Sequence, residues 1–123
     1  MQYDVEVVAE ELMLTADDLK EIFEYYFEDA VELIASCYKA NSELDYITLT
    51  KKIHALKGSS MNLRMHEIAV MVIKLQSSAN KEDGAEITLH LSKIENKLVL
   101  LKEEICVFYN NLYEKRRGSN AFF

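Results

Sequence analysis

Hydrophobic residues recur at spacings of three and four along most of the chain, the period of one face of an α-helix. The longest run is Ile87, Leu91, Ile94, Leu98, Leu101, Ile105, Phe108 and Leu112, which alternates four and three without a break. That is a heptad seam, fitting either a free coiled coil or the inner face of a bundle. The other stripes need a partner, which favours the bundle. Leu19, Ile22, Tyr26, Ala30, Leu33 and Cys37 form a second stripe, widened by Phe23 and Phe27. Leu49, Ile53, Leu56, Ser60 and Leu63 form a third, and Met65, Ile68, Val72, Leu75 and Ala79 a shorter fourth. Ahead of them Val5, Val8 and Leu12 suit a short helix within residues 3–14, although Tyr3, Val5 and Val7 alternate like a strand. We expect the helix, covering one end of the bundle.

Polar punctuation separates these stripes. Thr15-Ala16-Asp17-Asp18 reads as a helix N-cap with an acid at the third position. Ser42-Glu43-Leu44-Asp45 repeats that signal, so the preceding helix should end near Asn41. Asn80-Lys81-Glu82-Asp83-Gly84 is the clearest loop, with Asp83 or a neighbour capping the last helix. After Tyr113 no period remains, and residues 114–123 are expected to fray. The chain has no proline and only 3 glycines, which argues against a many-turned β fold. Long amphipathic helices with short connections predict an all-α, antiparallel four-helix bundle over residues 15–113. Residues 1–14 add a short extra N-terminal helix. The length, 123 residues, is that of one domain.

Composition narrows the function classes. No apolar run approaches the roughly 18 residues that span a membrane, and the first residues lack the basic segment of a signal peptide. Cys37 and Cys106 show no metal or redox spacing, so both are expected as buried thiols in a reducing cytoplasm. A net charge of −7 argues against nucleic-acid binding. The charge is uneven, however. Between Lys51 and Lys74 stand five basic residues (Lys51, Lys52, Lys57, Arg64, Lys74) against the single acid Glu67. This is either a solvated helix face or a local field that favours phosphate.

Candidate chemistry centres on His54. It falls beside the third stripe, not within it, and Ile47, Thr50, Lys51, Lys57, Gly58 and Met61 share its side. The imidazole is therefore expected at the boundary, partly exposed. Lys57 and Gly58 lie one turn away. The cation would attract an anion brought to the ring, and the glycine removes a crowding side chain. Glycine inside a helix costs about 1 kcal/mol relative to alanine, and access gives that cost a reason. Together they suggest a nucleophile approached closely by something large and negatively charged. His66 and His90 have no such setting and read as surface or boundary residues. The residues three before the histidines are Lys51, Leu63 and Ile87, so the Glu-x-x-His pattern of helical di-metal sites is absent. His66-Glu67 lacks the second histidine of a zinc protease motif. No metal site is expected.

His54, Leu56, Lys57, Gly58, Ser59, Ser60 and Leu63 resemble the signature His-x-Leu-Lys-Gly-Ser-Ser-x-x-Leu-Gly of histidine-containing phosphotransfer domains of bacterial two-component phosphorelays. One position departs: Arg64 stands where the family has glycine near the end of the histidine helix. Asn62 is a substitute for the left-handed turn, since asparagine tolerates it. The resemblance implies an antiparallel helical bundle with its histidine exposed midway along one helix. It implies that His54 is the phospho-acceptor, that Lys57 helps hold the phosphoryl oxygens, and that Gly58 leaves room for a receiver's loops. Ser59 and Ser60 are expected to serve local hydrogen bonding and packing. Ile47, Thr50, Lys51 and Met61 are candidate docking residues, with Ile47 and Met61 fitting the bundle core equally well.

The sequence contains no phosphate loop, no Gly-rich nucleotide loop and no carboxylate cluster spaced for magnesium. No cofactor of its own and no autonomous kinase or phosphatase activity are expected. In the family the partner receiver supplies the aspartate and the Mg ion. The implied function is reversible relay between receiver domains of hybrid histidine kinases and response regulators, in the cytoplasm, by a monomer. The seam of the last helix leaves dimerisation open. Two alternatives stand beside this reading: the phosphotransfer domain of a chemotaxis-type histidine kinase, and a helical receiver-docking protein that carries no phosphate.

Overall fold

Each of the apolar stripes becomes one helix. A computed structural model describes residues 3–120, which form α1 (Val5–Glu11), α2 (Ala16–Ser42), α3 (Tyr46–Asn62), α4 (His66–Asn80) and α5 (Gly84–Asn120), with no strand among the described residues. Met1 and Gln2 of the N-terminal segment and residues 121–123 of the expected tail lie outside the described residues.

Short polar side chains start most of these helices. The Asp4 carboxylate accepts from the N–H groups of Glu6 and Val7. Thr15 and Asp18 form the reciprocal pair expected of them: Asp18 N–H donates to Thr15 Oγ1 at 3.0 Å and Thr15 N–H to Asp18 Oδ2 at 3.2 Å. Caps of this kind contribute about 1 kcal/mol. Asp83 receives the Glu86 N–H at 3.1 Å at the head of α5. The signal before α3 lies one turn later than the sequence suggests. Ser42 ends α2, its hydroxyl donating back to the Lys39 carbonyl at 2.7 Å, and Asp45 caps α3 by accepting the Thr48 N–H at 3.1 Å.

All four connections close in the same way. The residue after each C-cap lies in the left-handed region: Met13 (φ 59°), Leu44 (φ 56°), Arg64 (φ 58°) and Glu82 (φ 54°). Its N–H, and the N–H that follows, reach back to carbonyls three and five residues earlier. Arg64 donates to Met61 at 3.0 Å and Met65 to Ser60 at 2.9 Å, for example. This is the Schellman motif, which usually places glycine at that position. None of the four is glycine. Asn62, expected to take the left-handed turn, is instead the last residue of α3, and Arg64 takes the turn itself.

α2 packs on α3 and α5, α4 packs on the same two helices, and α1 rests on α2. The stripes of α3 and α4 are buried at every expected position. Val5 and Val8 are buried as a helix requires. In α2, Ile22 is exposed and Phe23 is buried, its ring edge-on to Tyr3 and Tyr109. In α5 the seam leaves Phe108 and Leu112 half-buried and passes to Tyr109, whose hydroxyl donates to the Ala16 carbonyl at 2.6 Å. A straight helix has 3.6 residues per turn, so a strict heptad drifts off the core face. α5 also continues past Tyr113, where fraying was expected. Arg116 holds this stretch by pairing with Asp17 at 3.1 Å and lying over the Tyr113 ring. Of the two thiols expected inside, Cys37 is buried but Cys106 is exposed, because it stands about 100° round the helix from the core residue Ile105. No described helix is long and apolar enough to cross a membrane.

Candidate functional site

His54 is the midpoint of α3. The inner face of that helix is Leu49, Ile53, Leu56 and Ser60, all fully buried. One residue past Ile53 the chain has turned by about 100°, and His54 faces solvent. Thr50, Lys51, Gly58, Ile47 and Met61 are exposed on the same helix, and Lys57 is half-buried. Ile47 (74% exposed) and Met61 (52% exposed) thus stand outside the core that they equally suited. All seven residues singled out in the sequence share the outer side of α3.

Gly58 is informative because nothing around it requires glycine. Its backbone has no left-handed φ, and a Cβ built there meets nothing within 4 Å beyond its chain neighbours and its own helix backbone. Neither backbone geometry nor packing therefore accounts for its cost in helix propensity. Its remaining effect is to lower the surface one turn from the imidazole. Lys57 forms no ion pair with any described residue, and neither does Lys51 or Lys52. Hydrogen bonds from Thr48, and more weakly the Lys51 charge, hold the Asp45 carboxyl below its ordinary range at the head of the helix.

Ser60 faces inward, and Ser59 is half-buried on the flank of the helix. Ser60 Oγ lies 2.7 Å from the Tyr26 hydroxyl on α2, and Ser59 Oγ donates to the Leu56 carbonyl at 3.1 Å. Burial pushes the Tyr26 phenol up to about 12. The exit of α3 is fastened to α1 and the residues just ahead of it: Tyr3 donates its hydroxyl to the Leu63 carbonyl at 2.7 Å, and Arg64 Nε reaches Glu11 at 3.3 Å. Arg64 also donates to the Asn62 carbonyl at 2.9 Å. These long-range hydroxyl and guanidinium contacts have no periodicity that sequence reading could use. The same is true of a groove of about 600 Å³ beside Ser59 and Asn62, walled by Leu14, Ile22 and Tyr25.

The other histidines lie apart. His66 is exposed, and His90 is half-buried with Nε2 3.5 Å from the Glu86 carboxylate. No cluster of three or more His, Cys, Asp or Glu side chains able to hold a metal occurs among the described residues. His54 makes no hydrogen bond with any described residue. The arrangement leaves an exposed imidazole midway along a helix, with a lysine and a glycine one turn away. No protein-family model, no curated protein and no solved structure matches the chain.

Proposed function

We propose that the chain is a histidine-containing phosphotransfer module, an antiparallel four-helix bundle with a short N-terminal helix. His54 accepts a phosphoryl group from one receiver aspartate and delivers it to another. A ring nitrogen attacks phosphorus; an N–P bond forms, the acyl phosphate P–O bond breaks, and the aspartate carboxylate leaves. Delivery reverses these events on a second receiver. Such transfer needs positioning and charge neutralisation more than covalent help from the protein. Lys57 neutralises phosphoryl oxygens. The receiver brings Mg and the aspartate. Ile47, Thr50, Lys51 and Met61 form the surface against which the receiver rests. The module works as a cytoplasmic monomer.

The observation that carries this reading is Gly58, a helix-interior glycine with open space where its side chain would be, one turn from an exposed histidine. A docking protein that carries no phosphate has no use for an imidazole, a free cation and a cleared flank in this order. The test is to mix the protein with a receiver carrying ³²P on its aspartate. Label is expected on the wild type as an acid-labile, alkali-stable adduct and is absent from His54→Gln. If label never moves, or moves equally to His54→Gln, the reading fails. Label that arrives only from ATP and a kinase's ATP-binding domain would favour the chemotaxis-type arrangement.

A further inference from the structure

A second surface lies between α2 and α5, in a groove of about 570 Å³ to which α3 contributes no residue. Its floor is the edges of Phe23, Phe27, Ile105 and Tyr109. Val31, 67% exposed, and the exposed Cys106 stand on opposite walls. Along α2 the lining runs from Lys20 to Glu32, about 18 Å and a little over three helical turns. That length suits a partner helix, whose anchors at i, i+3 or i+4, and i+7 occupy such a groove.

The α2 wall carries the groove's acids, with Lys20 at its start and Lys102 on the α5 wall as the basic residues of the lining. Glu24, Glu28 and Glu32 follow one another at intervals of four along the groove. Like charges at that spacing repel and weaken a helix. Glu24 has Lys20 at 3.9 Å, while Glu28 and Glu32 are in no ion pair with any described residue. The row is thus unfavourable to the isolated protein and complementary to a row of cations. An apolar floor beside this acidic wall matches a helix with one apolar face and a basic edge turned towards α2.

We propose that the α2–α5 groove docks a cationic amphipathic helix of a partner protein. Apolar anchors lie over Phe27 and Val31, and lysines or arginines meet Glu24, Glu28 and Glu32. The partner is held away from α3, so the His54 face stays open while the groove is filled. This docking does not depend on the phosphotransfer reading.

The probe is a fluorescein-labelled 14-residue helical peptide of leucine and lysine, apolar on one face, titrated into the full chain. A peptide with glutamate in place of lysine is the comparison. Saturable micromolar binding of the lysine peptide alone is expected, weaker at high salt. Binding should fall at least tenfold in the Glu24→Gln/Glu28→Gln/Glu32→Gln variant. It should be unchanged in Glu10→Gln/Glu43→Gln/Glu103→Gln, which removes the same charge elsewhere. Cys106 provides the location: bound peptide should slow its alkylation by iodoacetamide, with the buried Cys37 silent. Absence of binding, equal loss in both triple variants, or unprotected Cys106 would overturn the proposal.

Discussion

The two sides of α3 follow different rules. On the inner side every residue has a packing reason: Leu49, Ile53 and Leu56 are sealed in the core, and Ser60 is sealed with its hydroxyl 2.7 Å from Tyr26. On the outer side packing explains nothing. Ile47 and Met61 are apolar yet exposed, Lys57 has no anionic partner among the described residues, and Gly58 has open space around it. A residue that folding does not need, and that makes folding slightly harder, is best understood through what approaches it from outside. The lesson is to ask of each motif residue which face it serves before assigning it a role.

The contrast can be broken from either side. The largest effect is expected on the outer side: His54→Gln should abolish phosphoryl transfer, by at least a thousandfold, with the thermal midpoint unchanged. Loss of folding in that variant would show the imidazole to be structural. On the inner side Leu56→Ala should destabilise by about 2–5 kcal/mol through lost burial and a residual cavity, read by urea titration, while the folded fraction still accepts label.

Alkaline pH probes the Tyr26–Ser60 join. Burial raises the Tyr26 phenol from 10.0 to about 12 in the folded chain, so the folded state holds that proton more tightly than the unfolded one. Stability should be level below pH 10 and fall as pH rises towards about 12, by on the order of 2 kcal/mol. Tyr109, raised the same way by burial, adds to the fall. Urea midpoints at pH 8 and pH 11 would show it, and a flat profile would place these phenols in water. Ser60→Ala leaves the Tyr26 hydroxyl without its partner and should cost about 1–3 kcal/mol.

The smallest change in stability sharpens the comparison most. Gly58→Gln should raise stability by up to about 1 kcal/mol, since glutamine favours helix and meets no neighbour. The same substitution should slow phosphoryl transfer about tenfold or more by crowding the imidazole. If transfer is unimpaired, the open flank has no part in access.

Much of this architecture was legible from hydrophobic spacing. α3 and α4 came through residue by residue because each presents one narrow apolar stripe to neighbours on both sides. α2 and α5 were legible only in outline. Where two large apolar residues stand next to one another, as at Ile22-Phe23 and Phe108-Tyr109, periodicity cannot say which is inside. The side chain with a partner took the place, Phe23 against Tyr3 and Tyr109, and Tyr109 against the Ala16 carbonyl. Exact turn positions were not legible either. Residue preferences pointed to Ser42 and Asn62, but back-bonded Schellman turns put Leu44 and Arg64 in the left-handed region instead. For the candidate site, face membership followed from the helical period. The bonds that steady the helix, from Tyr3 and Tyr26, join positions far apart in sequence and leave no local mark.

The fastening of α1 to the end of α3 has a dynamic consequence. Terminal helices of seven residues ordinarily open independently of what lies beneath. Here opening α1 would withdraw the Tyr3 hydroxyl from Leu63 and Glu11 from Arg64. The last turn of α3 would lose these two ties at the same moment, keeping Ser60 against Tyr26. Amide protons of α1 and of that turn should therefore exchange with deuterium at matching rates, as one cooperative unit reaching to within two turns of the imidazole.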